Sequence, residues 1–249
     1  MICEKHNFNY EPKKFSIAGT SYEIGCPLCE KERRKEQDRI TQEEQQEAKV
    51  ELKKIENEKK LQAQNIEKEY FNATLDNYVT KTESQASALR AFKSLVNDDA
   101  VQKIILLGDN GVGKTHLGSA AVKLLDGVIM TAYEISLFIR DGVAKGEEKK
   151  RLDIVSSYPL LVVDEWFRTK MSDAERNWHS YIFDKRHVRG LKTVLMGNGH
   201  FRRECLSGGC AKCLETTLDN DSISRFMQRG IILSVEGPDQ RRENWKQEK

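Results

Sequence analysis

Gly108-Asp109-Asn110-Gly111-Val112-Gly113-Lys114-Thr115 follows directly on an apolar run at 104–107 and fills every fixed position of G-x-x-x-x-G-K-[ST]. Each residue type has a task at that spacing. The glycines let successive backbone N–H groups curl round phosphate oxygens, and a helix expected over 116–125 turns its N-terminal dipole toward the same charge. Lys114 is placed to reach the β- and γ-phosphates, and the Thr115 hydroxyl to ligate magnesium. Residues 108–115, with His116 opening the helix, form the candidate nucleotide cradle. A strand expected at 103–107 and the helix that follows separate a phosphate loop from a chance glycine-rich turn.

Outward from this loop, short apolar runs recur at 128–132, 160–163, 193–196 and 231–235, with helix-like stretches between them. Runs that are apolar at consecutive positions fit parallel strands covered on both faces. A helical face is legible over 84–96, where Leu89, Phe92, Leu95 and Val96 share one side. The expected fold is therefore α/β, a P-loop nucleotide-binding domain on a five-stranded parallel sheet. The run at 160–163 leads into Asp164-Glu165. Asp164 is expected to hold magnesium through water, and Glu165 to orient or deprotonate the attacking water. The run at 193–196 closes in Gly197-Asn198-Gly199. Asn-Gly alone is a turn signal; beside the Asp-Glu strand, Asn198 could bond the water or the γ-phosphate.

The phosphate loop, the LLVVDE run at 160–165 and Asn198 resemble the Walker A, Walker B and sensor 1 motifs of AAA+ ATPases. FNATLDNY at 71–78 and DKRHVRGLKTVLMGN at 184–198 resemble, more narrowly, the bacterial and phage helicase loaders of the DnaC/DnaI type and the related IstB transposition helpers. The resemblance spans about residues 71–245 and implies ATP and ADP as ligands, Mg2+ as cofactor and ATP hydrolysis as the reaction. Ser224-Arg225-Phe226 is similar to the family's arginine-finger box, which implies that Arg225 reaches a γ-phosphate held by a neighbouring subunit. Arg242, in Asp239-Gln240-Arg241-Arg242, stands in the place of the sensor-2 arginine, and Arg229 and Arg241 could exchange roles with these two. Only residues 236–249 follow the last apolar run, too few for the helical lid that most AAA+ proteins carry. An AAA+ core without a full lid, completed by a homo-oligomeric neighbour, is the expectation.

The chain has 249 residues, 38% hydrophobic and 32% charged, with six cysteines. Its opening, MICEKHNFNY, has neither the basic nor the apolar region of a secretory signal, and no apolar run nears the roughly 20 residues of a bilayer span. A cytoplasmic protein without a membrane partner is expected, in which cysteines ligate metal or remain free thiols. Cys3-x2-His6 and Cys26-x2-Cys29 match a closed tetrahedral zinc site, structural because all four ligands come from protein. It would staple a module, residues 1–29, too small to hold a core. His200, Cys205, Cys210 and Cys213 form either a second zinc site or a loop with free thiols, an insertion that departs from the family pattern.

Residues 30–69 are mostly charged and contain no Gly or Pro, so they read as a helical linker. Ile40, Val50, Leu52, Ile55, Leu61 and Ile66 keep no heptad seam, and pairs such as Glu56–Lys60 would hold the helix in solvent. The AAA+ domain is assigned to 70–249.

Lys and Arg number 41 against 39 acids, a net charge of +2, so any nucleic-acid surface must be local. The stretch 145–151 and Arg168 with Lys170 are the candidates. The resemblance implies an ATP-dependent helicase loader. It would bind a hexameric DnaB-type replicative helicase through its zinc module, oligomerise through arginine-finger contacts when helicase-bound, and help place the helicase on single-stranded DNA in DNA replication. The alternatives are an IstB-type transposition helper acting on duplex DNA, and a zinc-dependent adaptor whose nucleotide site is only a folding switch.

Overall fold

Asn7 takes a left-handed backbone conformation (φ 46°), one that asparagine tolerates better than most side chains. The chain thereby doubles back, and β1 (Ile2–Cys3) pairs antiparallel with β2 (Phe8–Asn9). A second antiparallel pair, β3 (Lys13–Ile17) and β4 (Thr20–Ile24), follows. Pro27 then opens α1 (Pro27–Ala63), at a position where its missing N–H is no loss. The computed structural model describes residues 1–17, 20–168 and 170–240, and two compact units meet between Glu58 and Lys59.

Helix α1 is held locally rather than by a core. Arg39 reaches Glu36 (2.6 Å) and Glu43 (2.7 Å), and Arg33 reaches Glu30 (2.8 Å), while Ile40, Val50, Leu52 and Ile55 stay exposed. Such pairs contribute a few tenths of a kcal/mol each. Lys60 pairs with Asp126 (2.7 Å) instead of Glu56. Leu61 and Ile66, set within the charged stretch, are buried in the core of the second unit.

That unit is a layered α/β domain. Helix α2 (Glu83–Asn97) precedes β5 (Lys103–Gly108), α3 (Lys114–Leu124) and β6 (Val128–Thr131). Helices α4 (Ala132–Val143) and α5 (Glu148–Ser157) lead to β7 (Leu160–Asp164), and α6 (Asp173–Val188) to β8 (Lys192–Gly197). The short α7 (Leu214–Thr217), α8 (Asn220–Met227) and β9 (Gly230–Val235) complete it. Capping boxes start three helices on cue: Thr82 with Gln85, Thr131 with Glu134, and Ser172 with Glu175.

All five strands run parallel in the order β6-β7-β8-β5-β9, and each contains one of the apolar runs or most of it. Alternate residues of one strand feed two cores. Ile104 and Leu106 pack with Phe92, Leu95, Leu117 and Ala121, whereas Ile105 and Leu107 pack with Ile135, Ile139, Ile182 and Phe183. Burial on both faces is the physical reason these strands lack polar alternation. The topology brings the carboxyl ends of β5, β8 and β7 side by side, where ligands of open α/β sheets bind.

Arg186, within the DKRHVRG stretch, proves to be scaffold. Fully buried, it donates to Thr193 Oγ1 (3.0 Å), Tyr158 O (2.8 Å) and Lys192 O, tying α6 to the amino ends of β7 and β8. Burial lowers its pKa to about 9, which leaves it charged at neutral pH. The described residues stop at Gln240, so the expected absence of a full lid lies outside them. Among the described residues no helix is long and apolar enough to cross a membrane.

Candidate active site and metal centres

Gly113 carries φ 94° at the N-terminus of α3, and a Cβ there would lie 2.5 Å from Cε2 of Tyr78. Only glycine fits both constraints. The Tyr78 hydroxyl donates to Val112 O (2.9 Å) and Gln85 Nε2 donates to the same oxygen (3.3 Å), so the segment before α2 and the first turn of α2 brace the loop. Gln85 also caps α2, accepting from the Lys81 and Thr82 N–H groups. After β9 the chain returns to this loop: Gln240 N–H donates to Gly111 O (3.1 Å).

The loop borders a cleft of about 740 Å³ whose lining includes Lys114, Thr115, Asp164, Glu165 and Asn198. Lys114 Nζ donates to the carbonyls of Gly108 (2.8 Å) and Asp109 (2.7 Å). Thr115 Oγ1 donates to Asp164 Oδ2 (2.8 Å), and Glu165 N–H to Asp164 Oδ1 (2.7 Å). Burial pushes the Asp164 carboxyl up, against the Thr115 and Glu165 hydrogen bonds and the Lys114 charge that favour its anion. A hydroxyl and a carboxylate in contact at the wall of the cleft are the hard oxygen donors that Mg2+ takes, so these residues fit the ion.

Glu165 adopts a left-handed backbone (φ 52°), which for a non-glycine residue stores about 1–3 kcal/mol of strain and marks functional turns. Arg168 Nη1 donates to both its carboxylate oxygens (2.7 and 2.6 Å). The backbone beside it is pinned across the sheet, Trp166 N–H donating to Met196 O (3.1 Å), and a Cβ on Gly197 would lie 2.6 Å from the Phe167 ring. Asn198 follows directly and lines the same cleft as Asp164 and Glu165.

Other expected site residues lie elsewhere. His116 lines the cleft, but its Nε2 hydrogen-bonds to Thr74 O (2.9 Å). Arg225, on α8, forms an ion pair with Asp184 of α6 and does not line the cleft. Arg229 donates to Asp99 O (2.7 Å). Arg241 and Arg242 lie outside the described residues. In the basic stretch, Lys145 pairs with Asp141 (3.1 Å), Lys150 with Glu147 (3.5 Å) and Arg151 with Asp141 (2.9 Å).

Both cysteine–histidine sets converge. In the first unit, ligand atoms of Cys3, His6, Cys26 and Cys29 all lie within 4.8 Å of one another. His6 Nδ1 is 3.5, 3.9 and 3.3 Å from the Cys3, Cys26 and Cys29 sulfurs. Zinc–ligand bonds of about 2.0–2.3 Å give tetrahedral edges of about 3.5–3.8 Å, so the set fits zinc. His6 Nε2 hydrogen-bonds to Glu32 (3.0 Å), the outer carboxylate that leaves Nδ1 free for a metal. That bond and the Cys3 sulfur raise the His6 pKa, so a metal would displace a proton from Nδ1, and Lys5 and His6 lower the pKa of Glu32 to about 2.

In the second unit, His200, Cys205, Cys210 and Cys213 meet the same 4.8 Å limit. His200 Nε2 is 3.4 Å from the sulfurs of Cys210 and of Cys213, which lie 3.8 Å apart. Backbone N–H groups of Cys210 and Lys212 point at Cys213 Sγ (3.2 Å) and Cys210 Sγ (3.4 Å), the pattern that stabilises thiolates. Of the two readings left open by spacing, the geometry fits zinc.

The chain matches the family described as "IstB-like ATP binding protein" over residues 30–204. No curated protein sequence matches it. Among solved structures it is similar to the DnaC helicase loader, with 25% identity and a TM-score of 0.58 over 68% of this chain and 100% of that one. It shares its fold with DnaI (18% identity, TM-score 0.53, 70% of this chain and 94% of that one). It also shares it with AMPPCP-bound DnaA from Aquifex aeolicus (20% identity, TM-score 0.55, 71% of this chain and 53% of that one). With the phosphate loop, the Asp164–Glu165 turn and the five-stranded sheet in place, the chain belongs to the IstB-like ATP-binding protein family, an AAA+ branch.

Proposed function

We propose that this protein hydrolyses ATP and uses the cycle to load a replicative helicase onto single-stranded DNA. The observation that carries the reading is the Thr115–Asp164 contact (2.8 Å) beside Lys114, with Glu165 next in line at the same strand end. ATP would seat its phosphates on the 108–115 backbone, and the Lys114 ammonium would exchange the Gly108 and Asp109 carbonyls for phosphate oxygens. Thr115 and Asp164 would hold Mg2+, which neutralises charge on the β- and γ-phosphates when bound. Glu165 takes a proton from water as its oxygen attacks the γ-phosphorus. The bond to the bridging oxygen breaks, giving ADP and inorganic phosphate. Asn198 orients the water or the γ-phosphate.

Arg225, turned to Asp184 on its own subunit, would act on a neighbour's γ-phosphate after leaving that pair. The zinc-bearing module, residues 1–29, would grip the helicase at the end of the charged segment. Arg168, Lys170 and the 145–151 stretch would contact DNA phosphates, which gives salt dependence without sequence preference. The cytoplasm is the proposed compartment.

The family match itself favours a second reading, a transposition helper acting on duplex DNA. Light scattering after size exclusion separates the two. Mixed with its host's or phage's hexameric helicase and ATP, the chain is expected to migrate as a joint complex. No complex with ATP or ADP, together with ATP-dependent filaments on duplex DNA, would replace the loader by the second reading.

A further inference from the structure

Lys212 sits between two candidate metal ligands and also lines the nucleotide cleft with Lys114, Thr115, Asp164, Glu165 and Asn198. Its backbone is fixed on both sides by the second cysteine–histidine set: its N–H points at Cys210 Sγ (3.4 Å), and its carbonyl accepts from His200 N–H (3.1 Å). The next turn is fixed too, because Leu214 N–H donates to His200 O (2.9 Å) and His200 bridges to Cys213 in parallel register. Cys213 is fully buried while Lys212 is exposed, so the knuckle has its anchor in the core and its lysine in solvent at the cleft.

The other cations of the cleft already have tasks. Lys114 is bound to the loop carbonyls and Arg168 to Glu165, whereas the Lys212 ammonium has no ion pair or hydrogen bond among the described residues. Among the described residues Arg225, the arginine-finger candidate, faces Asp184 and does not line the cleft. The ring of His200 is two residues beyond Asn198, so one metal ion would tie the sensor position and Lys212 together.

We infer that Lys212 is a phosphate-binding residue, a cation supplied in cis to the terminal phosphate of a nucleoside triphosphate and held in place by the metal knuckle. This rests on the ATP-binding reading of the cleft and adds to it a residue that tells triphosphate from diphosphate. The two backbone contacts fix where the lysine stem starts, and a charge-assisted hydrogen bond to phosphate is strong enough to change affinity about tenfold or more. Removing the metal would free residues 199–213 and lose the discrimination without touching the phosphate loop.

The test is equilibrium binding of β,γ-methylene ATP and of ADP, each with Mg2+, to the full chain, with metal content measured in parallel. Lys212→Ala is expected to weaken the triphosphate about tenfold, leave ADP unchanged and keep the wild-type metal content, and Lys212→Arg to restore most of the loss. Cys210→Ser is expected to lose one metal ion per chain and the same discrimination. Unchanged affinity of Lys212→Ala for both nucleotides, or equal loss of both, would overturn the inference. A wild-type chain that binds neither nucleotide would instead overturn the nucleotide reading beneath it.

Discussion

Replacing Glu165 by glutamine is expected to leave ATP bound with near-wild-type affinity while its hydrolysis falls by about 10²–10⁴-fold, the range for loss of a general base. Glutamine keeps the size and the hydrogen-bonding oxygen but cannot take the proton. The left-handed turn at this position depends on the backbone, held by Asp164 accepting from the Glu165 N–H and by Met196 accepting from Trp166, and both bonds survive the substitution. The Arg168 ion pair is a weak restraint, because Arg168 is 73% exposed and surface pairs are worth about 0–1 kcal/mol. Releasing Glu165 toward water is therefore easy, and the pair does not mask the effect of losing the carboxylate. Single-turnover phosphate release beside ATP binding reads the two quantities separately. Hydrolysis at the wild-type rate would move the base to another residue.

Cys26→Ser should unfold the first unit and leave the second intact. Among the described side chains of Met1–Glu58 only Cys26 is buried, so the described part of this unit offers no apolar core that could replace the metal. A structural zinc contributes on the order of 10 kcal/mol of folding free energy to such modules. Serine is a poor zinc ligand, and three remaining ligands leave the site open. The second unit has its own core on both faces of the sheet and would keep its unfolding midpoint. Hydrogen exchange resolved along the chain checks this: protection in residues 2–24 should vanish, with that of β5 and β7 unchanged. Retained protection in both hairpins would show that something other than metal holds them.

The parallel sheet was legible because its strands are buried on both faces. Leu160 through Val163 are all fully buried, and a run with no polar alternation can hardly be anything but a central strand or a buried helix turn. The phosphate loop was legible for another reason, since its chemistry is local and each glycine has a backbone duty. The two metal sets were legible as ligand types, although spacing alone left the second one open between zinc and free thiols. The short β1–β2 pair was not, because two-residue strands with exposed or half-buried side chains carry no apolar pattern.

Pairings made by tertiary approach were equally hidden. Nothing in the spacing tells that Arg225 meets Asp184 or that Lys60 finds Asp126. Lys212 is the clearest case: between two cysteines it reads as filler, and only the fold turns the knuckle toward the cleft. Leu61 and Ile66 were masked by the charged residues around them, yet the chain near them is tied to β6. Gln64 O accepts from Ile129 N–H (3.1 Å), and Asn65 Nδ2 donates to Ile129 O (3.0 Å).

The central claim is that a triphosphate sits on the loop at 108–115 and is recognised by Lys114. Calorimetric titration of the metal-replete chain with MgATP tests it most directly, run beside Lys114→Ala. The account predicts saturable binding by the wild type and its loss in the variant. Absence of any heat of binding in the wild type, or equal affinity in the variant, would contradict it.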